Sequence, residues 1–282
     1  MPFPPDVYLI GAQKAGTTTL AHLLSQHPDI CVAKTKEPHY FTGRLDRGLN
    51  WYRQQFLNCD AICIDASTSY SFAPLSQNNS YMRKERFHNI PQRIHALNPQ
   101  AKFIYLLREP VSRVYSSYWH SFNTGRERQS FTEAIARDAF YLDVSDYYSQ
   151  LSLWLEYFPL DSFLFLLFEE MKQSPQATIT NCCQFLKIDP TKIAINLEHR
   201  NKTDNVNYIG RQFNRLFKKL DYISMGYFAP AAVRNLVREH TRSHQSLPAI
   251  PLRERDLLRN YFADKNRNLA ELTGLTLSQW QS

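Results

Sequence analysis

Between two glycines the sequence runs Gly11-Ala12-Gln13-Lys14-Ala15-Gly16, and Thr17, Thr18 and Thr19 follow directly. One ammonium and three hydroxyls in so short a stretch suit recognition of an anion. With a strand leading in and a helix leading out, the backbone N–H groups and the positive end of that helix complete an anion cradle. A second basic group, Arg108, closes the apolar run Lys102–Leu107 and precedes Glu109-Pro110. A guanidinium fork grips phosphate well, and ligands collect at the carboxyl edge of a parallel sheet. An ion pair with Glu109 is the structural alternative. Ser116 falls two turns into the next helix. His120 comes four residues later, on the same face.

The Gly-x4-Gly spacing also invites a kinase or nucleotide-hydrolase reading. That loop needs Lys directly after the second Gly, then Ser or Thr. Here Thr17 holds that place, Lys14 lies inside the loop, and no strand ends clearly in a magnesium-binding Asp. A nucleotide kinase or NTPase is the competing enzyme class. His240-x3-His244 has metal-like helical spacing but lacks a third ligand or a HExxH glutamate, so no metal is expected. Cys182-Cys183, beside Phe185 and Leu186, reads as core packing.

The elements that must position these groups follow from hydrophobic pattern. Val7–Ile10 is a short β-rich run ending at Gly11. Thr17–Gln26 carries Leu20, Leu23 and Leu24 at helical spacing, and Ile30–Val32 reads as the next strand. Ala61–Ile64, Lys102–Leu107 and Ser162–Phe168 are further apolar runs. Helices are expected at Pro91–Leu97 and around Tyr147–Tyr157. Buried runs alternating with helices predict an α/β fold with a central parallel sheet covered on both faces. Beyond residue 175 the pattern is mostly helical, over Gln176–Leu186, Gly210–Leu220, Ala231–His240 and Glu254–Leu272. The polar segment 199–209 reads as a loop. No repeat or linker interrupts the chain, so one domain over residues 1–282 is expected.

Composition narrows the class. Of 282 residues, 33 are Lys or Arg and 26 Asp or Glu, giving +7. That balance favours an anionic ligand, while interspersed acids and bases do not point to nucleic acid. No run of about 18 apolar residues predicts a membrane span, and the first residues lack a basic n-region. Five cysteines without CxxC spacing fit a reducing compartment. A cytoplasmic protein is expected.

The segment LIGAQKAGTTTLAHLLSQHPDI, followed by KEPHYF, resembles the 5′-phosphosulfate-binding region of sulfotransferases that use 3′-phosphoadenosine 5′-phosphosulfate (PAPS). The similar branch is the heparan-sulfate N- and 3-O-sulfotransferase-like one with its bacterial relatives. Arg47-Gly48-Leu49-Asn50-Trp51-Tyr52 with Phe56 resembles its KGxxWYxxxF signature. Leu107–Tyr118 resembles its 3′-phosphate motif, and LTLSQW at 275–280 a frequent ending.

The resemblance implies a P-loop-NTPase-like sulfotransferase fold with a helical C-terminal part, and PAPS as donor with PAP as product. A sulfonate carries less charge than a transferring phosphoryl group, so a lysine and backbone amides can serve where a triphosphate needs a metal. Lys14, Ala15, Gly16, Thr17, Thr18 and Thr19 would hold the 5′-phosphosulfate, Arg108 and Ser116 the 3′-phosphate, and Arg113 a structural or helix-surface role. Lys14 would also stabilise charge on the leaving oxygen. Glu37 matches the catalytic glutamate that takes the acceptor proton; His120 is a second candidate base and His39 a weaker one. Arg200 and Lys202 stand where relatives carry a further nucleotide loop. Where many relatives have a strand-end lysine this chain has Ala66, so a second catalytic lysine is missing from that place. Tyr70 would line the acceptor cleft or pack. The expected acceptor is a carbohydrate or small natural product. A non-catalytic module that binds an anionic polysaccharide is the alternative outside enzymes.

Overall fold

In the computed structural model, residues 5–58, 60–193, 195, 205–206, 242–243 and 247–280 are described. Val7–Gly11 (β1) is buried along its whole length, as an apolar run must be when strands flank it and helices cover both faces. Its neighbours are Ile62–Asp65 (β3) and Lys102–Leu107 (β4); Ile30–Val32 (β2) and Phe163–Leu167 (β5) form the edges. The five strands are all parallel, in the order β2-β3-β1-β4-β5. These are the five apolar runs the sequence marks. β3 begins and ends one residue later than expected, because Asp65 stays in register opposite Tyr8 of β1.

From β1 the chain moves to one side of the sheet for β2 and β3, then crosses to the other side for β4. Loops leaving β1 and β4 therefore diverge, which opens a crevice at the carboxyl ends of these two strands. Thr17–Leu24 (α1) follows β1. Tyr40–Gly43 (α2) and Gly48–Arg53 (α3) lie between β2 and β3, and Ile90–Leu97 (α4) between β3 and β4. Pro110–Asn123 (α5) starts directly after the loop from β4. Pro110 preorganises its first turn, and the Glu109 carboxylate caps it by accepting from Val111 N and Ser112 N.

Phe131–Arg137 (α6), Phe140–Asp143 (α7) and Tyr147–Leu155 (α8) complete the stretch before β5. After β5 come Phe168–Gln173 (α9), Pro175–Leu186 (α10) and, towards the C-terminus, Leu252–Thr273 (α11). Among the described residues two apolar clusters result. One packs both faces of the sheet, with Phe103 between Trp154, Phe158 and Phe163. The other joins α5 to α6, α7 and α11 through Val114, Tyr118, Phe131, Phe140 and Phe262. Leu277 and Trp280 of the C-terminal motif are buried, and the Trp280 indole donates to Glu169 at 3.4 Å.

Asn205–Val206 (β6) pairs antiparallel with Arg242–Ser243 (β7), so the 199–209 segment is not loop throughout. The helices expected at 210–220 and 231–240, together with His240 and His244, lie outside the described residues. Among those described, no helix is long and apolar enough to cross a membrane.

Candidate active site

A cavity of about 920 Å³ opens at the crevice between the β1 and β4 loops. The loop after β1 forms its floor. Gly16 adopts φ +89°, in the left-handed region that favours glycine. A Cβ there would also come within 2.8 Å of Phe168 and Met171. Gly11 is constrained by packing, since its Cβ would lie 2.5 Å from the Ser71 hydroxyl. Both positions favour glycine, Gly16 through its backbone conformation and Gly11 through the space around it.

Gly16 brings no side chain to cap α1, so amides of the helix's first turn are available to an anion. Arg108 reaches across from the end of β4 and donates through NH1 to the Lys14 carbonyl at 2.9 Å. Its guanidinium lies 5.0 Å from the Phe168 ring. Burial lowers the Lys14 ammonium below the ordinary lysine range, and the neighbouring Arg108 adds to this. Burial likewise lowers Arg108, against the opposing pull of Tyr147, Glu169 and Glu109. Two desolvated cations side by side are costly without a counter-charge. A polyanionic ligand supplies one.

The opposite wall comes from the β2–α2 loop and the turn after β3. Glu37 is held at both carboxylate oxygens: Lys36 Nζ donates to Oε1 at 2.6 Å and Thr68 Oγ1 to Oε2 at 3.1 Å. His39 Nε2 stands 3.5 Å from Oε2. The His39 ring is fixed at Nδ1, 2.8 Å from Ser69 Oγ, and its backbone N–H donates to Ser67 Oγ at 2.9 Å. Burial lowers the His39 pKa, with Glu37 and Asp65 pulling the other way, which favours the neutral ring. A carboxylate accepts about four hydrogen bonds, so Glu37 keeps capacity for a proton arriving from the cavity.

This wall hangs on one buried carboxylate. Asp65, at the end of β3, accepts from Tyr52 OH at 2.5 Å, Tyr70 OH at 2.7 Å and Ser67 N at 2.9 Å. Burial raises its pKa, and these donors pull it back. The anchor fixes the 3₁₀ turn Thr68–Ser71, which presents Thr68 to Glu37 and Ser69 to His39. Tyr52 of the KGxxWYxxxF-like motif thus acts as a scaffold.

Lys14, Gly16, Thr17, Thr18, Thr19, Arg108, Ser116, Glu37, His39 and His120 all line the one cavity. Ala15 is different: its methyl is buried in the core, and its N–H donates to the Ala12 carbonyl at 3.0 Å. Tyr70 packs beneath the site rather than lining it. Arg113 is fully buried, donating to Ser145 Oγ and the Tyr141 carbonyl, a structural role. Cys182 and Cys183 are core residues. Arg200 and Lys202 lie outside the described residues. Lys36, Thr68, Arg44, Arg86 and Arg126 line the cavity without having been singled out in the sequence. Only Lys36 carried a local signal, its position directly before Glu37.

The family model for the sulfotransferase domain matches residues 4–208, which hold the whole parallel sheet and every cavity residue named above. The chain belongs to the sulfotransferase family. Among curated relatives of this sulfotransferase, human heparan sulfate glucosamine 3-O-sulfotransferase 6 is 30% identical over 64% of the chain. The match spans about half of that relative, 52% of its length. Mouse heparan sulfate glucosamine 3-O-sulfotransferase 5 is 26% identical over 97% of this chain and 73% of its own. A sulfotransferase from Alicyclobacillus acidocaldarius shares the fold, with a TM-score of 0.68 at 22% identity and full coverage of both chains.

Proposed function

We propose that this sulfotransferase moves a sulfonate group from PAPS to a hydroxyl of a carbohydrate or small natural product. The observation that carries the reading is one cavity with a desolvated Lys14–Arg108 pair and the first turn of α1 on one wall and the fixed Glu37 carboxylate on the other. The donor set fits the nucleotide: hydroxyls, amides and two cations for its phosphates. Lys14, Gly16 and Thr17–Thr19 hold the 5′-phosphosulfate; Arg108 and Ser116 hold the 3′-phosphate. Glu37 accepts the acceptor proton, with His120 as the second candidate base. The acceptor oxygen attacks sulfur in line, a new O–S bond forms, and the bond to the phosphate oxygen breaks. Lys14 stabilises the charge left on that oxygen. The products are PAP and a sulfate ester.

Arg44, Arg86 and Arg126 line the same cavity beside Tyr81 and Phe87. That composition supports an acceptor with an anionic group and flat apolar faces. A cytoplasmic location belongs to the same proposal and is supported by the free thiols of Cys31, Cys63, Cys182 and Cys183.

The test is transfer of labelled sulfonate from PAPS to sulfated and unsulfated oligosaccharide acceptors. The wild type is expected to label an acceptor. Lys14→Ala and Glu37→Ala are each expected to lower kcat by about 10²-fold or more. Near-normal turnover by both variants would overturn the assignment.

A further inference from the structure

Lys36 lines the cavity and has no part in the scheme above. Lys36 directly precedes Glu37, and its side chain is 19% exposed. Its Nζ donates to Thr17 Oγ1 at 3.1 Å and to Glu37 Oε1 at 2.6 Å. Thr17 opens α1 and belongs to the phosphate cradle; Glu37 belongs to the acceptor wall. The ammonium therefore sits at the seam between donor and acceptor, where a transferring group must pass.

The backbone is shaped to put it there. Lys36 adopts φ +61°, in the left-handed region that side-chain-bearing residues rarely enter. Two short backbone bonds hold the turn, Lys36 N to Ala33 O and Glu37 N to Thr35 O, both 2.7 Å. Such conformations persist only where the surroundings over-determine them, and they cluster at functional sites. The Lys36 carbonyl also accepts from the Ala66 amide at 3.1 Å. Ala66 directly follows β3 and is fully buried. Lys36 is thus tied, main chain to main chain, to the turn after β3 that presents Thr68 to Glu37.

We propose that Lys36, supplied by the β2–α2 loop, is the second cation of the transfer site beside Lys14. The inference rests on the sulfonate-transfer reading. Before reaction the ammonium is paired with ionised Glu37. As Glu37 takes the acceptor proton it becomes neutral. The positive charge of Lys36 then turns to the negative charge building on the sulfonate oxygens, when it is most needed. An ion pair that merely steadies the loop would have no reason to reach Thr17 of the phosphate cradle.

The test uses the full chain and compares wild type, Lys36→Met, Lys36→Arg and Lys36→Met/Ala66→Lys. Sulfonate transfer from PAPS, PAP binding by calorimetry and thermal unfolding are measured for each. Lys36→Met is expected to lower kcat by about 10²-fold, with the PAP dissociation constant and the acceptor KM within about threefold of wild type. Lys36→Arg should keep a tenth of kcat or more. Where the double variant folds, a lysine from the strand end should recover at least tenfold over Lys36→Met, which a loop-steadying pair cannot do. A Lys36→Met kcat within threefold of wild type overturns the proposal while leaving the sulfotransfer reading intact. So does a loss confined to PAP affinity. If the wild type itself moves no sulfonate, both fall together.

Discussion

At the residue scale the site is governed by charges removed from water. Lys14 is the clearest case: burial and Arg108 both favour its neutral form, so it loses its proton below the ordinary value of 10.5. Bound phosphates favour the ammonium. Nucleotide binding therefore takes up a proton at alkaline pH, and affinity falls as pH rises through the lowered value. Calorimetry with PAP over an alkaline series should show that decline beginning below 10.5. Lys14→Arg, which stays charged, should bind with no such decline. A wild-type affinity unchanged up to 10.5 would contradict this picture. Lys14 and Arg108 were legible in the sequence because each reveals its chemistry locally, inside a Gly-bounded loop or at the end of an apolar run. Thr68 was not, and Lys36 showed only its place directly before Glu37. Thr68 matters through Glu37, 31 positions away, and Lys36 through Thr17, 19 positions away. Only the folded sheet brings them together.

At the element scale, two connections do the positioning. The β1–α1 loop needs Gly16 in its left-handed conformation against Phe168. Gly16→Ala should destabilise the fold by about 1–3 kcal/mol and weaken PAP binding as well, measured by denaturant unfolding and calorimetry together. A stable variant with normal affinity would show that the loop does not depend on this geometry. The turn after β3 depends on Asp65. Asp65→Asn exchanges one acceptor oxygen for an amide group facing two tyrosine hydroxyls, at a cost of about 1–3 kcal/mol. It should also lower kcat through Thr68 and Ser69 while leaving PAP affinity near wild type. Equal loss of kcat and PAP affinity would mean that the effect reaches the nucleotide cradle. The strands were readable as elements because parallel strands covered on both faces are apolar throughout. Their boundaries shifted by a residue where register decided, as at Asp65 opposite Tyr8.

At the scale of the whole molecule, the order β2-β3-β1-β4-β5 creates the crevice that all of these residues share. Alternation of strands and helices predicted a parallel sheet. It carried no information on strand order, which arises from pairing between β1 and both β3 and β4. The net charge of +7 acquires a local meaning in the folded chain. In the proposed donor complex, Lys14, Lys36 and Arg108 would lie against a nucleotide carrying roughly −4, since a phosphomonoester alone brings nearly −2. Arg44, Arg86 and Arg126 add a basic stretch of cavity wall. The central claim is that this crevice is built for the 3′,5′-bisphosphorylated adenosine of a sulfonate donor. Calorimetric titration of the wild-type protein with PAP, with ATP as control, tests it most directly. The expected result is one PAP per chain, bound without added magnesium at least a hundredfold more tightly than ATP, and lost in Lys14→Ala. No measurable binding of PAP, or tighter binding of ATP with magnesium, would contradict it.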